Sequence, residues 1–130
     1  MQRAFTLVEL LIVVIIIGIL ASVGIVQYGT VIEKSRSAEA YSVLADIVAA
    51  EKAYFVDNDA YTSTFTNLHS FTATPTSDNF TYSIPSRDSS SGYAQAARIS
   101  AVGGRKSYGM CFASGKRAVC NTTACNPGCP

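Results

Sequence analysis

From Phe5 to Val26 the chain carries a single ionisable side chain, Glu9, in an otherwise apolar run. At 1.5 Å per residue these about 22 residues make roughly 33 Å of helix, enough to cross a bilayer's hydrocarbon core. A helix that is apolar all round must be covered by lipid or by other helices, so this segment constrains the fold more than any other. A carboxylate at the centre of a spanning helix costs about 2.5–3.5 kcal/mol on insertion scales. Near the end of the run the cost is lower, but a plain anchor has no use for the charge. Glu9 requires a partner.

An ordinary secretory signal has a basic region, then an apolar core, then a small-residue cleavage site. Here the basic Arg3 and the small Ala4 precede the apolar run. A cut after Ala4 would remove Met1–Ala4 and leave the helix on the mature chain, beginning at Phe5. The stretch MQRA/FTLVELLIVVIIIGILASVGIVQY resembles the start of type IV pilins and the related pseudopilins. The likeness is close over the N-terminal segment and general elsewhere. It implies a prepilin peptidase that cuts between Ala4 and Phe5 and N-methylates Phe5. It also implies that Thr6 and Glu9 act in assembly, with the Glu9 carboxylate meeting the N-terminal amine of a neighbouring subunit. The physics agrees, because a buried charge without a partner is strongly disfavoured and an ammonium supplies both charge and donors. The alternative is that Glu9 lies near the lipid headgroups and interacts with its own helix N-terminus.

Many members of that family carry Pro where this chain has Val26. Gly18 and Gly24 remain, and each glycine lowers helix propensity by about 1 kcal/mol relative to alanine. The lost Pro argues against the local helix melting that filaments of this family show, whereas the two glycines keep flexibility there open.

At 130 residues the chain is one small domain plus this helix. A net charge of +1 gives no strong electrostatic grip on nucleic acid or acidic lipid. The four cysteines, all from Cys111 onward, suit an oxidising exterior. The single histidine, His69, falls in a Thr- and Ser-rich loop and reads as solvated.

From Glu33 to Phe55 there is neither Pro nor Gly. Tyr41, Leu44, Val48, Lys52 and Phe55 recur at helical spacing, as do Ala45, Ala49 and Ala53, with Glu33, Arg36, Glu39, Asp46 and Glu51 around them. One helix from Phe5 to about Phe55 is therefore expected, its second half burying one side under a sheet. Asp57-Asn58-Asp59 breaks it, and a loop runs on to about Asn79. Four strands follow at Phe80–Ile84, Tyr93–Ser100, Ser107–Ala113 and Arg117–Asn121. Pro85–Gly92, Gly103-Gly104 and Ser114–Arg117 connect them as turns, and such short connections make successive strands antiparallel neighbours. The expected class is α+β, a long N-terminal hydrophobic helix packed on a small antiparallel sheet, as the resemblance also implies. Its parts are a leader (1–4), a transmembrane or filament-core helix (5–28), an amphipathic helix half (29–56), and a head with a Cys-rich C-terminal region (57–130).

Cys111, Cys120, Cys125 and Cys129 allow three pairings. A two-residue turn at Gly115-Lys116 would set Cys111 opposite Cys120 at a spacing that a disulfide can span. Cys125 and Cys129 would then close a terminal loop around Asn126-Pro127-Gly128. Paired C-x2-C units and C-x-x-C-H are both missing, so no metal, haem or other cofactor is signalled. A C-terminal disulfide also resembles the disulfide-bounded loop of type IV pilins, which pseudopilins more often lack.

Asn79-Phe80-Thr81 and Asn121-Thr122-Thr123 fit the N-glycosylation pattern, which is short enough to arise by chance. Arg105, Lys106, Lys116 and Arg117 form a basic group near the tip of the sheet that reads best as a solvated face. No nucleophile–base pair or paired carboxylate cleft suggests an enzyme. The expected function is a major pilin, a homo-polymer of identical subunits joined through their N-terminal helices. Its partners would be the prepilin peptidase, the inner-membrane assembly machinery and the cytoplasmic membrane before export to an extracellular filament. Arg3 on the N-terminal side fits a head-outside orientation. The alternatives are a pseudopilin of a type II secretion system and a minor DNA-binding pilin, although nothing in the sequence supports nucleic acid as a partner.

Overall fold

The computed structural model describes residues 5–87, 91–99, 106–120 and 125–129. The leader Met1–Ala4, the Gly103-Gly104 turn, Arg105 and the Asn121-Thr122-Thr123 pattern lie outside the described residues. Helix α1 spans Leu7–Asn58 and contributes to two units, one up to Ser35 and one from Arg36 onward.

The helix ends as backbone chemistry requires. Asp59 turns left-handed at φ 50° and its N–H donates to the Phe55 carbonyl at 2.9 Å, while Asn58 Nδ2 donates to the Tyr54 carbonyl. Asp tolerates that conformation better than a bulkier residue, and the bond satisfies a carbonyl that the helix would leave open.

In the second unit α1 contributes Ala40, Leu44, Ile47, Val48 and Ala50 to the core. Tyr41 and Phe55 pack against that core half-buried, whereas Lys52, Ala45, Ala49 and Ala53 are exposed. The buried stripe is thus rotated from the expected one, towards Ala40, Ile47 and Glu51. Glu51, expected among the outward charges, is fully buried. Its Oε2 accepts the Thr62 N–H at 3.0 Å, tying the chain after the helix back to α1. A carboxylate is tolerated inside because a backbone donor faces it.

Strands β1 (Phe80–Arg87), β2 (Gly92–Arg98), β3 (Ser107–Cys111) and β4 (Arg117–Cys120) form an antiparallel meander in the order β1-β2-β3-β4. Phe80, Tyr82 and Ile84 point into the core, in the alternation that their sequence suggests. The β1–β2 register shifts between Ser83 and Ser86, where Pro85 cannot donate to the ladder. The protein is α+β, a long N-terminal helix packed on a four-stranded sheet.

The β3–β4 hairpin departs from the two-residue turn. Its last paired residues are Met110 and Arg117, and Ser107 lies opposite Cys120. Phe112 leaves the ladder to fill the core with no exposed surface, 5.0 Å from the Tyr61 ring. Its N–H donates to the Gly92 carbonyl, and Gly115 at φ +68° closes the wider loop with a backbone bond to Cys111.

Candidate functional site

The start of α1 is a reciprocal cap. Thr6 N–H and Thr6 Oγ1 both donate to Glu9 Oε2 at 2.9 Å, and Glu9 N–H donates to Thr6 Oγ1 at 3.3 Å. Thr6-x-x-Glu9 is a capping box, a signal legible in the sequence as T-L-V-E but missed there. It supplies a local partner for the one carboxylate of the apolar run. Within one chain, Glu9 therefore takes the contact with its own helix N-terminus.

Behind the cap, Leu7–Ile25 has a mean hydropathy of 2.9 and is long and apolar enough to span a membrane, with none of it buried among the described residues. Phe5 is 85% exposed. Ser22 Oγ donates to the Ile19 carbonyl at 2.7 Å, so its hydroxyl is satisfied within the helix, as an apolar surrounding demands. Gly18 and Gly24 lie within continuous helix, and no neighbour is within 4 Å of where a Cβ would stand.

The cysteines pair as Cys111–Cys129 and Cys120–Cys125. This corrects the expected Cys111–Cys120 and Cys125–Cys129 pairs. The wider hairpin sets Cys120 opposite Ser107, four residues along β3 from Cys111, a displacement of about 13 Å that no disulfide spans. Residues 125–129 instead form a strap over the face of β3 turned away from the core, with a bridge at each end. Cys125 N–H donates to Gln95 Oε1 at 3.1 Å, and Cys125 Sγ lies 3.7 Å from the Ala118 carbonyl. The strap explains why β3 is buried on both faces.

The basic group is split by the same hairpin geometry. Lys116 and Arg117 sit at the turn end, whereas Lys106 precedes β3 at the other end. Arg117 lies over the Tyr41 ring, 5.0 Å from its centroid. Asn79 Nδ2, the nitrogen an N-glycan would need, donates to Glu39 Oε2 at 3.1 Å. Among the described residues no cluster of three or more His, Cys, Asp or Glu could hold a metal.

A capped apolar helix, an antiparallel sheet and a disulfide-strapped C-terminal segment define an α+β protein with an exposed N-terminal apolar helix. Residues 37–128 match the family described as type IV pilin-like G and H, and residues 1–25 match the prokaryotic N-terminal methylation motif. The chain belongs to the type IV pilin-like family, whose members are structural proteins and not enzymes. It is 37% identical over 89 residues to the type IV wide pilus major component PilA4 of Thermus thermophilus, covering 68% of each chain. It is 42% identical over 66 residues to the type IV major pilin protein PilA of Myxococcus xanthus, covering 51% of this chain and 30% of that one. It is also 37% identical over 78 residues to the type II secretion system core protein G of Escherichia coli, covering 58% of this chain and 52% of that one. The chain thus spans between about a third and two thirds of these relatives' lengths. The methylation motif and the apolar helix fit a membrane-anchored precursor that becomes part of an extracellular pilus.

Proposed function

We propose that this chain is the major structural subunit of a type IV pilus, polymerising through its N-terminal helix into an extracellular filament. The observation that carries this reading is the capped apolar helix, which is exposed among the described residues. In a filament, neighbouring helices replace the lipid around it, and repeated heterologous contacts give an open assembly. Cleavage falls between Ala4 and Phe5 with N-methylation of Phe5, and residues 1–4, 5–28, 29–56 and 57–130 serve as leader, filament core, amphipathic half and outer head. Glu9 exchanges part of its bonding to Thr6 for the N-terminal amine of a neighbour, and Gly18 and Gly24 supply local flexibility. The prepilin peptidase and the membrane assembly machinery are its partners before export.

Mass spectrometry of filaments sheared from cells tests this. An abundant subunit beginning at methylated Phe5, with both disulfides intact, is the expected result. A chain that keeps Met1–Ala4 would sink the processing step. The second reading is a pseudopilin of a type II secretion system, favoured by the likeness to core protein G. Retention in the cell envelope, with no surface filaments, would favour it.

A further inference from the structure

The second half of α1 carries opposite charges on its two flanks. Asp46, Ala49, Ala50 and Ala53, with Ser70 and Phe71, line a groove of about 390 Å³, which continues past Tyr54 and His69 to Asp57. At 100° per residue, Asp46, Ala50, Ala53 and Asp57 fall roughly 120–180° round the helix from Tyr41. Both aspartates are exposed. Lys52 falls about 20° from Tyr41, and Arg117 of the edge strand β4 covers the Tyr41 ring, so the Tyr41 flank is basic. Val119, two residues along that edge, is 52% exposed. A sheet edge bearing an exposed apolar residue is a surface that assembly tends to cover.

The two charge patterns have the same spacing. Asp46 and Asp57 are eleven residues apart, about 16 Å along the helix, and so are Tyr41, which carries Arg117, and Lys52. Two parallel copies displaced by five residues, about 7.5 Å, set Arg117 against Asp46 and Lys52 against Asp57. Because acid and base lie on different flanks, each copy offers both surfaces. The contact is heterologous and does not use itself up.

We propose that the Asp46–Asp57 groove receives the Arg117–Lys52 flank of a second copy, with Val119 facing the alanine floor, as a heterologous contact between neighbouring heads of the filament. This rests on the polymer-forming function proposed above. Complementary flanks of this kind set register and exclude misaligned pairs more than they add affinity.

The full-length chain, expressed in cells that assemble its filaments, tests the contact by charge exchange. D46K/D57K and K52E/R117E should each lower the sheared filament yield about tenfold, and the fourfold variant should recover most of it. Recovery cannot arise from a folding defect. Undiminished yield in both single-flank variants, or no recovery in the fourfold variant, overturns the proposal. A chain carrying both K52C and D57C gives a second readout. Those positions lie about 140° apart on the helix and cannot bridge within one chain, so oxidised filaments should yield a covalent ladder. A dimer band alone, or monomer alone, overturns the heterologous contact while leaving polymerisation standing. If the wild-type chain forms no filaments, both proposals fall together. K52E/R117E filaments at normal yield that lose salt-sensitive DNA binding would assign the basic flank to nucleic acid instead.

Discussion

Cys125 crosses the sheet directly over Gly109, so a Cβ on Gly109 would stand 2.7 Å from the Cys125 carbonyl oxygen and 3.2 Å from Pro127 Cδ. The obstacle is backbone, held by a disulfide at each end of the strap. Gly109→Ala is therefore expected to destabilise the head by about 1–3 kcal/mol, as overpacking does. Denaturant unfolding of the detergent-solubilised chain measures it; a loss below a few tenths of a kcal/mol would mean that the strap yields easily.

The two bridges should contribute unequally. Cys111 and Cys129 are separated by 18 positions in sequence and Cys120 and Cys125 by only 5. On the chain-entropy account, losing the first costs about 3 kcal/mol and the second about 2 kcal/mol. Melting of C111S/C129S against C120S/C125S compares them, and peptide mapping without reductant should recover these two pairs only.

Glu51 should behave as a clamp. Glu51→Ala leaves the buried Thr62 N–H without its acceptor, at a cost of about 1–3 kcal/mol. Glu51→Gln keeps an oxygen there and should cost less. Hydrogen exchange at Thr62 separates the two, since only the alanine variant should lose protection; equal protection in both would refute the clamp.

Alkaline pH should unfold the head. Burial raises the phenols of Tyr41, Tyr61 and Tyr82, with Arg117 partly opposing the shift at Tyr41 and the Glu51 charge adding to it at Tyr61. A phenol whose folded pKa exceeds its unfolded value of about 10 lends stability that is complete below pH 10 and lost as pH rises through the folded pKa. Tyrosinate absorbance should show a late-titrating fraction that coincides with loss of the folded signal. Complete tyrosine titration near pH 10 with the head still folded would contradict the burial.

Thr6 and Glu9 should be separable in assembly. Glu9→Gln preserves a capping oxygen but carries no charge for a neighbour's amine, so the filament yield should fall while the isolated subunit keeps its helicity. Thr6→Ala loses the cap, worth about 1 kcal/mol, and should fray the first turn. Equal filament yields for wild type and Glu9→Gln would remove charge pairing from the assembly step.

Local signals carried most of the architecture. The apolar run, the unbroken helix former stretch ahead of Asp57 and the alternation of Phe80, Tyr82 and Ile84 each act within a few residues of chain, where side-chain period sets structure directly. T-L-V-E was equally legible as a cap. The phase of the buried stripe was not, because Tyr41, Leu44 and Val48 are compatible with either neighbouring rotation of α1, and only packing against the sheet brings Ile47 and Glu51 inward.

By itself, then, the sequence determined a capped apolar helix, a meander after it, and a C-terminus bound by cysteines. Tertiary structure alone decided which cysteines meet, that Glu51 is buried, and that Arg117 covers Tyr41 on the Lys52 flank of α1. The physical reason is range. Periodicity and capping are settled by neighbours three or four residues away. Cys111 meets Cys129 because Phe112 leaves its strand to fill a core built from Tyr61 and the helix, and the hairpin widens to let it.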